Sequence, residues 1–156
     1  MLAATAGAEL FKAYGVDSRP AVEGWVQTDE LMYSGVMGFV GESLRGTCLL
    51  AARSATVLAA APPDARPRDW VGELANQLVG RLKSKLLARN VSIAMTTPVV
   101  LSGVRIEPLP RTSIEPAVFD TATGKVLVWL EVEVDSAFRL ETERPIPATE
   151  GDLLVF

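Results

Sequence analysis

The segment of residues 69–86, DWVGELANQLVGRLKSKL, constrains the fold more than any other part of the chain. At about 100° per residue, six of its apolar side chains fall within one helical sector about 120° wide. The members of this predicted core stripe are Val71, Leu74, Ala75, Leu78, Leu82 and Leu86. The pattern therefore predicts a surface helix, over roughly residues 68–89, whose apolar side packs on a core.

The opposite side of the predicted helix is polar and contains a glycine. Its members are Asp69, Glu73, Asn76, Gly80 and Ser84. Glu73 and Asn76 are three residues apart, so their side chains are neighbours on the helix surface. Gly80 costs the helix about 1 kcal/mol relative to alanine, but it would let another backbone approach beside Asn76. Periodicity alone leaves two interpretations open, a solvated face with a tolerated glycine or a docking face.

Composition restricts the chemistry that the chain can perform alone, because it contains no histidine and one cysteine, Cys48. These counts exclude Ser-His-Asp and Cys-His nucleophile systems, an HExxH zinc site, an internal disulfide and a cysteine-based zinc site. The net charge of −4 gives no electrostatic footprint for nucleic acid or an anionic membrane. Any chemistry must therefore use carboxylates, amides, hydroxyls or lysine, or parts that a partner supplies.

Length and patterning predict one domain over residues 1–156 with an α+β fold. A first helix is predicted over residues 2–14 and a short one over residues 53–61. Two hairpins are predicted, with further extended segments between and after them. The predicted strands are residues 31–40 and 46–52 around a turn at 41–46, residues 113–119 and 125–134 around a turn at 120–124, an extended run 91–101 broken at Pro98, and short strands at 104–108 and 152–156. An antiparallel sheet with the first and the long helix on one face would accommodate these elements.

No targeting or membrane-spanning segment is predicted. The first residues lack a positive region, and the longest apolar stretch, residues 47–63, is interrupted by Arg53 and is too short to span a bilayer. These features and the unpaired cysteine favour a cytoplasmic protein. The chain is 49% hydrophobic, which agrees with part of its surface being covered by a second copy or a partner.

The order Asp69-x3-Glu73-x2-Asn76-x3-Gly80 resembles the signature helix of the CheC/CheX/FliY family of chemotaxis phosphatases. The resemblance extends to the segments on either side of the helix and covers roughly residues 30–135, whereas residues 136–156 resemble nothing in the family. Gln77 departs from the pattern, because an apolar residue, often Met, is expected there. Lys12 stands in the first helix where a second motif would need Asn, which favours the single-site CheX type over the two-site CheC type.

The resemblance implies a CheC/CheX-like sheet and a phosphatase that acts on the aspartyl-phosphate of a CheY-like receiver domain. Asn76 would orient the attacking water and Glu73 would pair with the receiver's lysine. Asp69, Gly80 and Lys83 would contribute to partner binding. The protein would need no cofactor or metal of its own, because the receiver carries the phosphoryl group and its Mg²⁺. The family also implies a homodimer.

Three alternatives remain open at the level of sequence. A non-catalytic module of the same fold would bind a receiver or a flagellar-switch partner without hydrolysis. A homo-oligomeric structural domain would leave the polar helix face idle. Glu131, Glu133 and Asp135 lie on one side of a predicted strand and would either bind a metal or form a solvated sheet face.

Overall fold

The computed structural model describes residues 2–106, 108 and 114–138, and its fold is α+β, as predicted. Over these residues the chain forms seven strands in one antiparallel sheet, in the order β1-β6-β7-β3-β2-β4, with β5 also paired to β2. The elements are α1 (Leu2–Ala13), β1 (Ser18–Pro20), β2 (Leu31–Gly41), β3 (Leu44–Arg53), α2 (Ser54–Ala59), α3 (Pro67–Leu87), β4 (Ile93–Met95), β5 (Val99–Val104), β6 (Ala117–Thr121) and β7 (Gly124–Val134).

The predicted hairpins are confirmed, but their turns are shorter than the sequence indicates. Only Glu42 and Ser43 join β2 to β3, because the residues after them already pair with β7. The separate strand predicted at residues 104–108 is wrong: β5 runs to Val104, and Arg105 then turns the chain with φ of 57°. Strand β1 was not predicted, and the strand predicted at residues 152–156 lies outside the described residues.

Helices α1 and α3 pack on the same face of the sheet, as predicted. All six residues of the predicted stripe of α3 are buried, and they share one apolar cluster with α1 and with alternate residues of the central strands. Between the helices, the rings of Tyr14 and Trp70 meet edge to face with centroids 5.6 Å apart, and Lys85 donates to Glu9 at 2.8 Å. These contacts fix which side of α3 faces outward.

The segment after α3 returns along the outer edge of β2 in two pieces. Thr96 lies between β4 and β5, where its backbone N–H donates to the Gly38 carbonyl and its hydroxyl accepts from the Gly38 N–H, both at 2.9 Å. These two hydrogen bonds hold Thr96 against β2 before the break at Pro98, and regular pairing with β2 resumes at Val99. Strand β5 is thereby placed next to the N-terminal half of α3.

The other face of the sheet carries a second apolar cluster, formed by Met32, Leu49, Ala51, Leu127 and Trp129. Strand β7 is therefore buried on both faces near its start. Its last apolar residues are open to solvent, because Val132 and Val134 are 41% and 53% exposed. Alternation along a strand determines which residues share a side, whereas tertiary packing determines which part of each side is covered.

Among the described residues, no helix is both long enough and apolar enough to cross a membrane.

Candidate active site

A groove of about 630 Å³ runs between the polar side of α3 and strand β5. One wall is formed by the N-terminal half of the helix and the other by the strand. The lining residues from α3 are Arg68, Asp69, Gly72, Glu73 and Asn76, and those from β5 and the residue before it are Pro98, Val100, Leu101 and Ser102. The structure thus gathers three of the sequence-predicted residues, Asp69, Glu73 and Asn76, in one open groove.

Asp69 lies in the first turn of α3, which begins at Pro67. Proline suits this position because its missing N–H would have no partner there, and an acidic side chain suits the positive end of the helix dipole. The carboxylate of Asp69 is 3.4 Å from Arg68 Nε, and the two side chains are 65% and 74% exposed. A pair so open to water contributes little to stability, so both groups remain available to a partner.

Glu73 and Asn76 are both half-buried on the helix wall of the groove. Glu73 Oε1 accepts a hydrogen bond of 2.8 Å from Gln77 Nε2. Within the described part of the chain, neither Glu73 Oε2 nor the Asn76 amide has a side-chain hydrogen bond. The groove therefore presents a carboxylate oxygen and an amide, side by side, with their bonding capacity unused.

Gly80 and Lys83 continue the same side of α3 beyond the groove, about 6 Å and 10 Å along the helix axis from Asn76. Among the described residues, a Cβ placed on Gly80 would meet no atom within 4 Å outside its own stretch of helix backbone, so none of them requires a glycine there. Lys83 is exposed and makes no ion pair with the described residues. Neither residue lines the groove, so any role for them depends on a partner that extends along the helix.

The strand wall of the groove is not predictable from the sequence as part of a functional site. The sequence marks Pro98 as a break in an extended run and gives no signal for a role of Ser102. Periodicity along one chain cannot show which strand lies beside a helix, because pairing with β2 decides it. The apolar run of residues 99–101 was the available signal, since all three remain exposed in an edge strand.

Glu131 and Glu133 on β7 and Asp135 just after it do not form a metal site in the described structure. No group of three or more potential ligands is found among the described residues. Glu133 Oε2 instead accepts from Arg45 Nη2 at 2.6 Å on the neighbouring strand. This part of the sheet is a charged, solvated surface with a cross-strand ion pair.

Cys48 lies in the core on β3, away from the groove. Burial raises the pKa of its thiol from 9.0 to about 12. Because the thiolate is the reactive form, a raised pKa makes this cysteine a poor nucleophile at neutral pH. The only cysteine of the chain is therefore a packing residue.

Comparison with protein families gives one match. The family model described as chemotaxis phosphatase CheX matches residues 33–121, which span β2 to β6 and contain the whole groove. Among proteins with curated descriptions, none matches the chain significantly.

Solved structures show the same fold. Chemotaxis protein CheX from Vibrio vulnificus superposes with a TM-score of 0.68 at 24% identity, over 85% of this chain and 93% of that chain. CheX from Desulfovibrio desulfuricans has a TM-score of 0.68 at 20% identity, over 85% and 97%. The CheX–CheY–BeF3–Mg complex from Borrelia burgdorferi contains a chain that matches with a TM-score of 0.62 at 12% identity, over 84% and 95%.

Proposed function

Because the chain belongs to the CheX family of chemotaxis phosphatases, we propose that it hydrolyses the aspartyl-phosphate of a CheY-like receiver domain. The observation that carries the proposal is the position of Glu73 and Asn76 side by side on one wall of an open groove. Each side chain has hydrogen-bonding groups without a partner among the described residues. The Borrelia complex, in which a protein of this fold is bound to CheY, supports the choice of partner class.

The proposed reaction needs positioning rather than a strong base. Asn76 can accept a hydrogen bond from water through its carbonyl oxygen and donate to a phosphoryl oxygen through its NH₂. The water oxygen bonds to phosphorus while the bond from phosphorus to the aspartate oxygen breaks, so the products are the receiver carboxylate and inorganic phosphate. Charge on the phosphoryl group would be stabilised by Mg²⁺ bound to the receiver, so the protein needs no metal or cofactor of its own.

Glu73 would serve as the docking group. Its unbonded carboxylate oxygen lies beside Asn76 and is available to the ammonium group of a receiver lysine. Pairing these two charges would fix the register of the receiver, and Asn76 would then lie next to the phosphoryl group. Asp69, Gly80 and Lys83 would form the rest of the docking surface, before and beyond the groove on the same side of α3.

A non-catalytic module is the alternative function. Such a protein would bind a receiver or a flagellar-switch partner through the same face without hydrolysis. The Asn76 amide favours the enzyme, because docking alone has no need of a water-binding group beside the carboxylate.

The deciding experiment follows the decay of a phosphorylated CheY-like receiver with wild-type protein and with Asn76→Ala. Gln27→Met is the control, because Gln27 does not line the groove. We expect wild type and Gln27→Met to accelerate decay equally and Asn76→Ala to lose about 10² or more of the acceleration. Binding without acceleration by wild type would support the module. Full activity of a folded Asn76→Ala protein would refute the mechanism.

We also propose that the protein is a cytoplasmic homodimer that pairs through the edge of its sheet. Among the described strands none covers the outer edge of β5, where Val99, Val100 and Leu101 are 58%, 39% and 41% exposed. A flat apolar edge strand without charges tends to pair with another strand. Light scattering after size exclusion should give twice the mass of the chain, and Val100→Lys should return it to the monomer mass.

A further inference from the structure

The Gln77 side chain is hydrogen-bonded to the carboxylate of Glu73, the proposed docking group, although Gln77 does not line the groove. Its Nε2 donates to Glu73 Oε1 at 2.8 Å, one helical turn away. The family resemblance leads one to expect an apolar residue at this position, and glutamine departs from it. An apolar side chain could not make this hydrogen bond, so the departure changes the environment of Glu73.

The hydrogen bond restricts Glu73 in a specific way. A free glutamate on a helix surface samples several rotamers, and holding it in one when a partner binds costs side-chain entropy. Gln77 fixes one carboxylate oxygen and thereby orients the other, Oε2, which has no partner among the described residues. Part of the entropy cost of ordering the Glu73 side chain is therefore already incurred in the unbound protein.

The neutrality of the donor matters as well. A lysine or arginine at position 77 could also hold Glu73, but its positive charge would neutralise the negative charge that attracts a cationic group of the partner. The glutamine amide donates a hydrogen bond and carries no charge. Glu73 is therefore held in place with its full charge available.

A purely structural role makes a different prediction. Side-chain pairs spaced i,i+4 slightly stabilise exposed helices whatever their function. If that were the only role of Gln77, its removal would slightly lower the unfolding temperature and would leave partner affinity unchanged. Measuring both the partner affinity and the unfolding temperature of a Gln77 variant therefore distinguishes the two roles.

We propose that Gln77 is a positioning residue, which holds the Glu73 carboxylate oriented to receive the cationic group of the receiver. The proposal rests on the function proposed above, in which Glu73 docks on a receiver lysine. It assigns Gln77 to docking and not to the hydrolytic step, because its hydrogen bond reaches Glu73 and not Asn76.

The test uses Gln77→Met, which removes the donor at nearly constant volume and helix propensity. Gln27→Met is the matched control, since the Gln27 amide donates to the Arg105 carbonyl at 3.2 Å, outside the groove. Both changes are made in wild type and in Glu73→Ala. Kd for a receiver activated with beryllofluoride and Mg²⁺ is measured together with kcat and KM for the phosphorylated receiver.

We expect Gln77→Met to raise Kd and KM about two- to fivefold with kcat unchanged. In the Glu73→Ala background the same change should have no effect, because the group that Gln77 positions is gone. The Gln27→Met control should leave Kd and KM unchanged in both backgrounds.

Three results would overturn the proposal. The first is an unchanged Kd and KM in a folded Gln77→Met protein, and the second is an equal loss of affinity in the Glu73→Ala background. In both cases an active wild type leaves the proposed function intact. The third is a wild-type protein that neither binds the activated receiver nor accelerates its decay, which refutes the proposed function and this inference with it.

Discussion

Gly35 of β2 lies directly under Ala75 of α3, with no space for a side chain between them. A Cβ at position 35 would stand 2.6 Å from the Ala75 Cβ and 2.7 Å from the Val71 carbonyl oxygen. Real Cβ atoms do not approach so closely, so the glycine allows the helix to rest on the strand. This contact sets the height of α3 above the sheet, and with it the depth of the groove beside Asn76.

Replacing Gly35 with alanine should therefore destabilise the protein. Both opposing atoms belong to the helix backbone or to a Cβ, so neither can rotate away, and α3 must shift. We expect a loss of about 1–3 kcal/mol in the free energy of unfolding, measured by urea denaturation. Gly24→Ala is the control, because a Cβ there meets none of the described residues within 4 Å. Equal stability of the two variants would contradict the packing argument.

Gly80→Ala should have opposite effects on stability and on function. The new Cβ would meet no described residue within 4 Å outside its own stretch of helix backbone, so the helix should gain about 1 kcal/mol of stability. If a receiver approaches the helix there, the same methyl group would obstruct it, and we expect the rate of receiver dephosphorylation to fall about tenfold. Thermal unfolding and phosphate release measure the two effects. A more stable variant with full activity would remove Gly80 from the docking surface.

Glu73→Gln should test whether the docking role depends on charge. The substitution preserves the shape of the side chain, so a charge-dependent role predicts about tenfold weaker binding of the activated receiver. Wild-type affinity should fall as salt is raised, and the variant should show a shallower salt dependence. Glu42→Gln, an exposed change in the β2–β3 turn, provides the control for net charge. Identical salt slopes for wild type and Glu73→Gln would count against the ion pair.

Cys48 should react slowly with a thiol reagent at pH 8 in the folded protein and rapidly after denaturation, because its pKa is raised to about 12 by burial. The same shift makes stability depend on pH. The unfolded thiol ionises near its ordinary pKa of 9.0 while the folded thiol keeps its proton, so the unfolded state binds fewer protons between these values. Stability should therefore fall as pH rises from 9 towards 12. Cys48→Ala should lose this contribution; an unchanged pH dependence would show that other groups cause the decline.

Much of the local structure follows from patterns that involve only neighbours in sequence. The stripe of α3 gave the buried side of the helix correctly, because its side chains repeat with the helical period. Alternation along the strand likewise predicted that Glu131 and Glu133 lie on one side of β7. Both turns were predicted too long, because glycine and serine in a sequence indicate a turn without showing where strand pairing ends.

For the candidate site too, local sequence determines one part of the arrangement and the tertiary structure determines the other. The sequence by itself determined that Glu73, Asn76 and Gly80 share one side of a helix, since helical geometry fixes the relation of residues three, four and seven apart. Only the tertiary structure decided that this side faces a groove. The groove exists because β5 pairs with the edge of β2 while Gly35 of the same strand brings α3 close. These contacts join residues tens of positions apart, and no local periodicity encodes them.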